Sequence, residues 1–322
     1  MIYNDTLIQM ISRFKINNDM SRRQAIRECM QEIALCGLGR SNFFNEASFY
    51  GGTCLRIFYG LNRFSEDLDF SLDMTTMPGF SSKAFNLKEY KSYIENEFES
   101  LGLNVTFDIS EKAEDNNIKR GYIKGNTKEL LLAFGFDESI ASIINHNDTT
   151  KIKLEVDSKP PFFAAYDIKF GLLPNPYPAR TYDIESMFAG KISAVLGRNW
   201  QSRVKGRDFY DYVFYLKNKV KVNLICVEAR MNADGVDLDN PLTIEELKRL
   251  LCEKFDTIDF ENAKEDIANF IENPDDVNIW SADFFKAITQ NLEASEKHVL
   301  RLCNDEELEK YDNRTRNSWF NK

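Results

Sequence analysis

A chain of 322 residues, 43% hydrophobic and 29% charged, has enough apolar material for a buried core and enough length for about two domains, which excludes a disordered or fibrous protein. Its formal net charge of -10, from 51 acidic and 41 basic residues, excludes general affinity for polyanions, so any nucleic-acid contact must come from a local basic patch.

No apolar run approaches the roughly 18 to 20 residues that span a bilayer, and the N-terminus MIYNDTLIQMISRFK has no basic segment leading into an apolar one. A cytoplasmic protein with no membrane partner is expected. Six cysteines, at 29, 36, 54, 226, 252 and 303, form no CxxC pair and read as free thiols rather than a zinc site or a disulfide framework. There are only two histidines, His146 and His298, which disfavours histidine-based triads and metal sites and leaves the chemistry to carboxylates and lysine. Carboxylates suit hard cations such as magnesium.

In chain order, residues 3 to 40 read as two helices, the second capped by Ser21 with Gln24 at the capping-box position and ending near Gly37 and Gly39. Residues 46 to 73 switch to a strand, a Gly-Gly turn, a short helix from about Thr53 to Tyr59, and the strand DLDFSL with alternating acid and apolar residues. A helix over 83–101 follows, then strands at LNVTFDI and KRGYIKG joined by the polar EKAEDNN. In KIKLEVD at 151–157, Ile152, Leu154 and Val156 share one face, and Lys151, Lys153, Glu155 and Asp157 the other. The prolines of KPPFFAAYDIKFGLLPNPYPAR argue against helix and central strand, which puts a domain boundary near 178: residues 1–178 form one domain with its N-terminal helices and 179–322 a helical one. Helices are expected at 182–197, 207–218, 223–231, 242–254, 260–271 and 282–300. Residues 223 to 322 hold about 23 acids and 12 bases, whereas 186 to 222 hold about 8 bases and 2 acids.

The densest signal is Gly51-Gly52-Thr53 followed by Arg63-Phe64-Ser65-Glu66-Asp67-Leu68-Asp69. Asp67 and Asp69 are two apart on a strand, so both carboxylates project from one face and can hold one or two magnesium ions. The Gly-Gly turn at a helix start offers backbone amides to phosphate oxygens, and Thr53 can add a hydroxyl. Arg63 is in reach of a phosphate, and Ser65 would put a hydroxyl beside the metal pair; both also fit plain turn chemistry. Taken singly, a DxD pair is usually solvated and a Gly-Gly dipeptide usually just a turn.

The block GGTCLRIFYGLNRFSEDLDFSL resembles the AbiEii/AbiGii nucleotidyltransferase toxins, a branch of the polymerase-beta-like nucleotidyltransferases. A second block, YDIESMFAGKISAVLGRNWQSRVKGRDFYDYVFYL, is similar to that family's downstream pattern of a helical lysine followed by an RDxxD helix, and the two span residues 49 to 216. The resemblance implies an α+β fold, in which a polymerase-beta-like mixed sheet with flanking helices is joined to a helical C-terminal domain. It implies that Gly51, Gly52 and Thr53 bind the triphosphate of an NTP, that Asp67 and Asp69 bind Mg2+, that Lys191 neutralises phosphate charge, and that Asp208 and Asp211 complete the site. The superfamily's third metal carboxylate would come from KIKLEVD, with Glu155 preferred and Asp157 the alternative.

Each of these residues also has a plainer reading. Lys191 flanks the apolar stripe Met187, Phe188, Ile192, Val195, Leu196 and would ordinarily snorkel to water; Asp208 also fits a helix cap. A tRNA acceptor is implied by toxin relatives and would draw on Lys119, Arg120, Lys124 and Lys128 and on Arg198, Arg203, Lys205 and Arg207, with Trp200 as a stacking platform. The resulting expectation is a magnesium-dependent enzyme that moves an NMP from an NTP to an acceptor hydroxyl, as a toxin with a separate antitoxin protein. The alternatives are a protein or small-molecule acceptor, or a silent nucleotide-binding module.

Overall fold

The computed structural model describes residues 4–72, 85–110, 117–160, 163–200, 203–236 and 240–296. Strands β1 (Ala47–Tyr50), β2 (Leu68–Leu72), β3 (Val105–Ile109), β4 (Ile118–Asn126), β5 (Thr149–Asp157), β6 (Tyr166–Gly171) and β7 (Tyr177–Tyr182) form one mixed sheet in the order β3-β4-β5-β2-β1-β7-β6. β1 and β2 pair antiparallel, β2 and β5 parallel, and β5 returns antiparallel to β4. Helices α1 (Asp5–Ile11), α2 (Asp19–Gly39), α3 (Phe43–Glu46), α4 (Gly51–Tyr59), α5 (Lys91–Ser100), α6 (Thr127–Ala133) and α7 (Glu138–Ile143) belong to the same unit, which runs up to Pro160 and adds Ala165–Asp183 and Ala268–Pro274.

Alternation in the strands decides which face is dry. Phe49, Phe70 and Val156 stand side by side across β1, β2 and β5, all fully buried, and Phe43 meets Phe70 edge to face at 4.8 Å between ring centroids. This aromatic layer fixes the register of β1 and β2, because a slip of one residue would send every apolar side chain to the polar face. α2 lies on the sheet, with Ile26, Cys29, Ile33 and Ala34 buried.

Two local expectations are corrected. The cap of α2 is Asn18, whose side chain accepts from the Ser21 amide while Ser21 Oγ accepts from the Asn18 amide; Gln24 is buried and donates to the Asn269 carbonyl at 2.6 Å. The proline-rich segment does hold strands. Pro178 sits in β7 opposite Phe170 of β6, while the pairing of β7 with β1 lies at Thr181, so the missing amide interrupts no bond to β1. The beginning of the expected 83–101 helix, most of EKAEDNN, the end of the 282–300 helix, His298 and Cys303 lie outside the described residues.

The second unit holds α8 (Ile184–Gly197), α9 (Gly206–Lys217), α10 (Leu224–Ala233), α11 (Ile244–Phe255), most of α12 (Phe260–Ala268) and α13 (Ala282–Thr289). Its core is aromatic: Phe188 stacks on Tyr215 at 4.5 Å, Phe260 on Phe285 at 4.9 Å, and Phe209 meets Phe285 edge-on at 5.4 Å. Cys29, Cys36, Cys54 and Cys226 are buried free thiols, and no described helix is long and apolar enough to cross a membrane. Truncating Phe70 to alanine removes the ring at the centre of the sheet's dry face; urea unfolding should show a loss of about 3–5 kcal/mol for the sheet unit.

Candidate active site

α4 begins at Gly51, two residues before the sequence suggests, and Gly51 turns the chain into the helix with φ 84°, a backbone conformation that side-chain-bearing residues seldom take. A Cβ there would lie 2.8 Å from Asp69 Oδ2, and a Cβ on Gly52 would lie 2.5 Å from Arg63 Nη2 and 3.0 Å from Ser65 Oγ. The two glycines thus bring the helix start against a carboxylate on one side and against a guanidinium and a hydroxyl on the other. Tyr50, the N-cap, gives the helix no side-chain bond, so the first-turn amides remain donors for an anion.

Thr53 is fully buried, and its hydroxyl donates to the Asp67 carbonyl. The group expected at the triphosphate therefore ties α4 to the residue that leads into β2, and only the Thr53 amide is left for phosphate. Arg63 is buried and donates from Nη1 to the Phe64 carbonyl at 2.9 Å, while the Ser65 carbonyl accepts from Gln31 Nε2 at 3.1 Å. These carbonyls of the loop between α4 and β2 are thus held by side chains, Arg63 from within the loop and Gln31 from α2.

Strand register builds the rest. Asp69 is paired with Tyr50 of β1 and Glu155 of β5, and Glu155 in turn with Arg120 of β4, so Tyr50, Asp69, Glu155 and Arg120 form one row across four strands. Asp157 falls beside Ser71, away from Asp69. Arg120 Nε lies 2.5 Å from Glu155 Oε1; Lys153 Nζ lies 2.9 Å from Glu155 Oε2 and 3.3 Å from Asp67 Oδ2. Burial pushes the Glu155 carboxyl up, but hydrogen bonds from Lys153 and Arg120 outweigh it and hold it below the usual carboxylate range. Burial likewise works against the Lys153 ammonium, and Glu155 and Asp67 reverse the effect, so the lysine stays charged.

Among the described residues, no three His, Cys, Asp or Glu side chains converge as a metal cage. Both oxygens of Glu155, expected as a third ligand, face cations, Arg120 and Lys153. Asp67 and Asp69 still fit a hard divalent ion. They are all-oxygen donors beside a helix start that suits phosphate, and magnesium characteristically takes one or two carboxylates and completes its shell with phosphate and water.

In the helical unit, Lys191 Nζ lies 2.7 Å from Asp208 Oδ1 and 2.8 Å from Asp211 Oδ2, and Arg198 pairs with the other oxygen of Asp208. The side chains of Asp208 and Asp211 are 2% and 0% exposed, that of Lys191 16%. Both carboxylates face Lys191, and Asp208 also faces Arg198, rather than solvent. Lys205 nearby is pushed down by burial and by Arg198. Trp200 packs toward Phe209 at 6.1 Å, and Arg203 pairs with Asp266 at 2.6 Å.

Lys153 lies outside the sequence motifs that point to the site, although it shares the polar face of β5 with Glu155, two residues away. Its importance depends on the β2–β5 register, which brings Asp67 within reach and which no local pattern reveals.

The family model of the nucleotidyl transferase AbiEii toxin, of type IV toxin–antitoxin systems, matches residues 33–290. The chain belongs to this AbiEii family. It is accordingly a nucleotidyltransferase, and the family places it among toxins of toxin–antitoxin systems. Similar solved structures include JHP933 from Helicobacter pylori, 18% identical, covering 86% of this chain and 92% of its own, with a TM-score of 0.46. Another is MenT4, a nucleotidyltransferase toxin from Mycobacterium tuberculosis H37Rv, 13% identical, covering 90% and 88%, with a TM-score of 0.48. No curated protein matches the chain.

Two substitutions separate the roles of these AbiEii residues. Gly51→Ala should lower nucleotidyl transfer by about a hundredfold, the scale expected when a reacting group is displaced by about 1 Å, while circular dichroism stays native. Lys191→Met leaves Asp208 and Asp211 buried with a cation removed and should cost the helical unit about 3–5 kcal/mol in urea unfolding.

Proposed function

We propose that this AbiEii chain catalyses magnesium-dependent transfer of a nucleoside monophosphate from an NTP to an acceptor hydroxyl, with tRNA as the acceptor, and that this modification is its toxic action. The observation that carries the reading is the placement of the Gly51–Gly52 helix start directly against Asp69, Arg63 and Ser65. Amides at that start would hold the phosphates, and Arg63 and the Ser65 hydroxyl would border the same position. Asp67 and Asp69 would hold a divalent ion, which supplies charge neutralisation on the phosphates and orients the reacting oxygens. The family resemblance also makes Lys191, held by Asp208 and Asp211, a proposed catalytic lysine.

Support for RNA rests on the basic residues of β4 and of the α8–α9 region, and several of these are already paired: Lys124 with Asp108, Arg120 with Glu155, Arg198 with Asp208 and Arg203 with Asp266. That pairing favours a protein or small-molecule acceptor as the second reading. A separate antitoxin protein is the proposed partner in either case. Incubation with magnesium, each labelled NTP and total bacterial tRNA should place label on tRNA, and Asp67→Ala and Asp69→Ala should each abolish it. Label on protein or on a small molecule, with the same aspartate dependence, would select the second reading; label nowhere would defeat both.

A further inference from the structure

We propose that Lys153 is a built-in cation that takes the place of a second divalent ion, so that the site binds a single metal ion through Asp67 and Asp69. This inference rests on the reading of Asp67 and Asp69 as metal ligands. A two-ion arrangement on these strands would need one ion shared between the aspartate pair and the carboxylate on the neighbouring strand. That third carboxylate is Glu155, and the space between Glu155 and Asp67 is filled by the Lys153 ammonium, at 2.9 and 3.3 Å.

Three features make Lys153 a fixture rather than a passing contact. Its position on β5 is dictated by the parallel register with β2, in which Leu154 faces Leu68 and Glu155 faces Asp69; both leucines are fully buried and lock the register. Its partner Glu155 is held from the opposite side by Arg120, which is itself fixed by the β4–β5 ladder. The side chain is 32% exposed, so about two thirds of it is packed against the sheet's surroundings. Charge points the same way: Lys153 and Arg120 between them meet both oxygens of Glu155, and Lys153 also meets Asp67. An ion bound to Asp67 and Asp69 would leave Lys153 on Glu155, so the lysine supplies positive charge that another metal would otherwise bring.

Counting bound Mn2+ tests this. Electron paramagnetic resonance of free Mn2+ is used to titrate the purified full chain in the presence of equimolar α,β-methylene NTP analogues, with a nucleotide-only control subtracted. The native chain should bind one Mn2+, Lys153→Arg should also bind one, and Lys153→Gln should bind two, with circular dichroism confirming that each variant is folded. Two ions on the native chain would overturn the inference while leaving the aspartate site intact, and this outcome needs no variant. One ion on Lys153→Gln would overturn it as well, showing that removal of the ammonium opens no second position. Loss of all binding in Asp67→Asn, against one ion in the native chain, is the control for the aspartate site; no binding to the native chain would defeat both the inference and the reading beneath it.

Discussion

The hydroxyl of Thr53, buried and bonded to the Asp67 carbonyl, fixes the distance between a helix start and a strand start that are separated by a loop. Everything proposed for the site depends on that tie. It places the amides of Gly51 and Gly52 beside the carboxylates, and it does so with a neutral backbone acceptor, so the anchor is unaffected by the charge changes that metal and nucleotide bring. A buried hydroxyl paired in this way is difficult to replace, because loss of the donor leaves a carbonyl in need of a partner.

Some of this architecture was legible in the sequence and some was not. The alternation in KIKLEVD and DLDFSL gave β5 and β2 with the correct buried faces, and the glycine pair followed by DxD identified the nucleotidyltransferase core. The start of α4 was misplaced by two residues because glycine has poor intrinsic helix preference, which here is overridden by the need for a left-handed residue at the turn. The prolines argue against a central strand, yet β7 carries Pro178 within the sheet and β6 forms its edge; what matters is whether the missing amide would have faced a partner. The Lys153–Asp67 and Arg120–Glu155 pairs join residues 86 and 35 positions apart in the chain, and only the assembled sheet relates them.

The helical unit illustrates a different compromise. Asp208 and Asp211 are fully or almost fully removed from water, and their charges are met by Lys191 and Arg198. Such a cluster adds little net stability compared with an apolar core of the same volume, but it specifies one arrangement of α8 against α9, since any other would strand a buried charge. The RDxxD spacing that drew attention in the sequence is therefore also a packing device: residues three apart on α9 grip a single lysine of α8.

The two glycines at the start of α4 have a genetic consequence. At Gly52 a side chain would have to displace Arg63 or Ser65, and at Gly51 it would press on Asp69 in a backbone conformation that favours glycine. Nearly every missense change in these two codons would thus damage the site while leaving the sheet's aromatic core untouched. For a gene whose product harms its own cell, that makes a short stretch of coding sequence a broad target for escape, and cells that survive unrestrained expression would tend to carry full-length, folded and harmless protein altered at these positions.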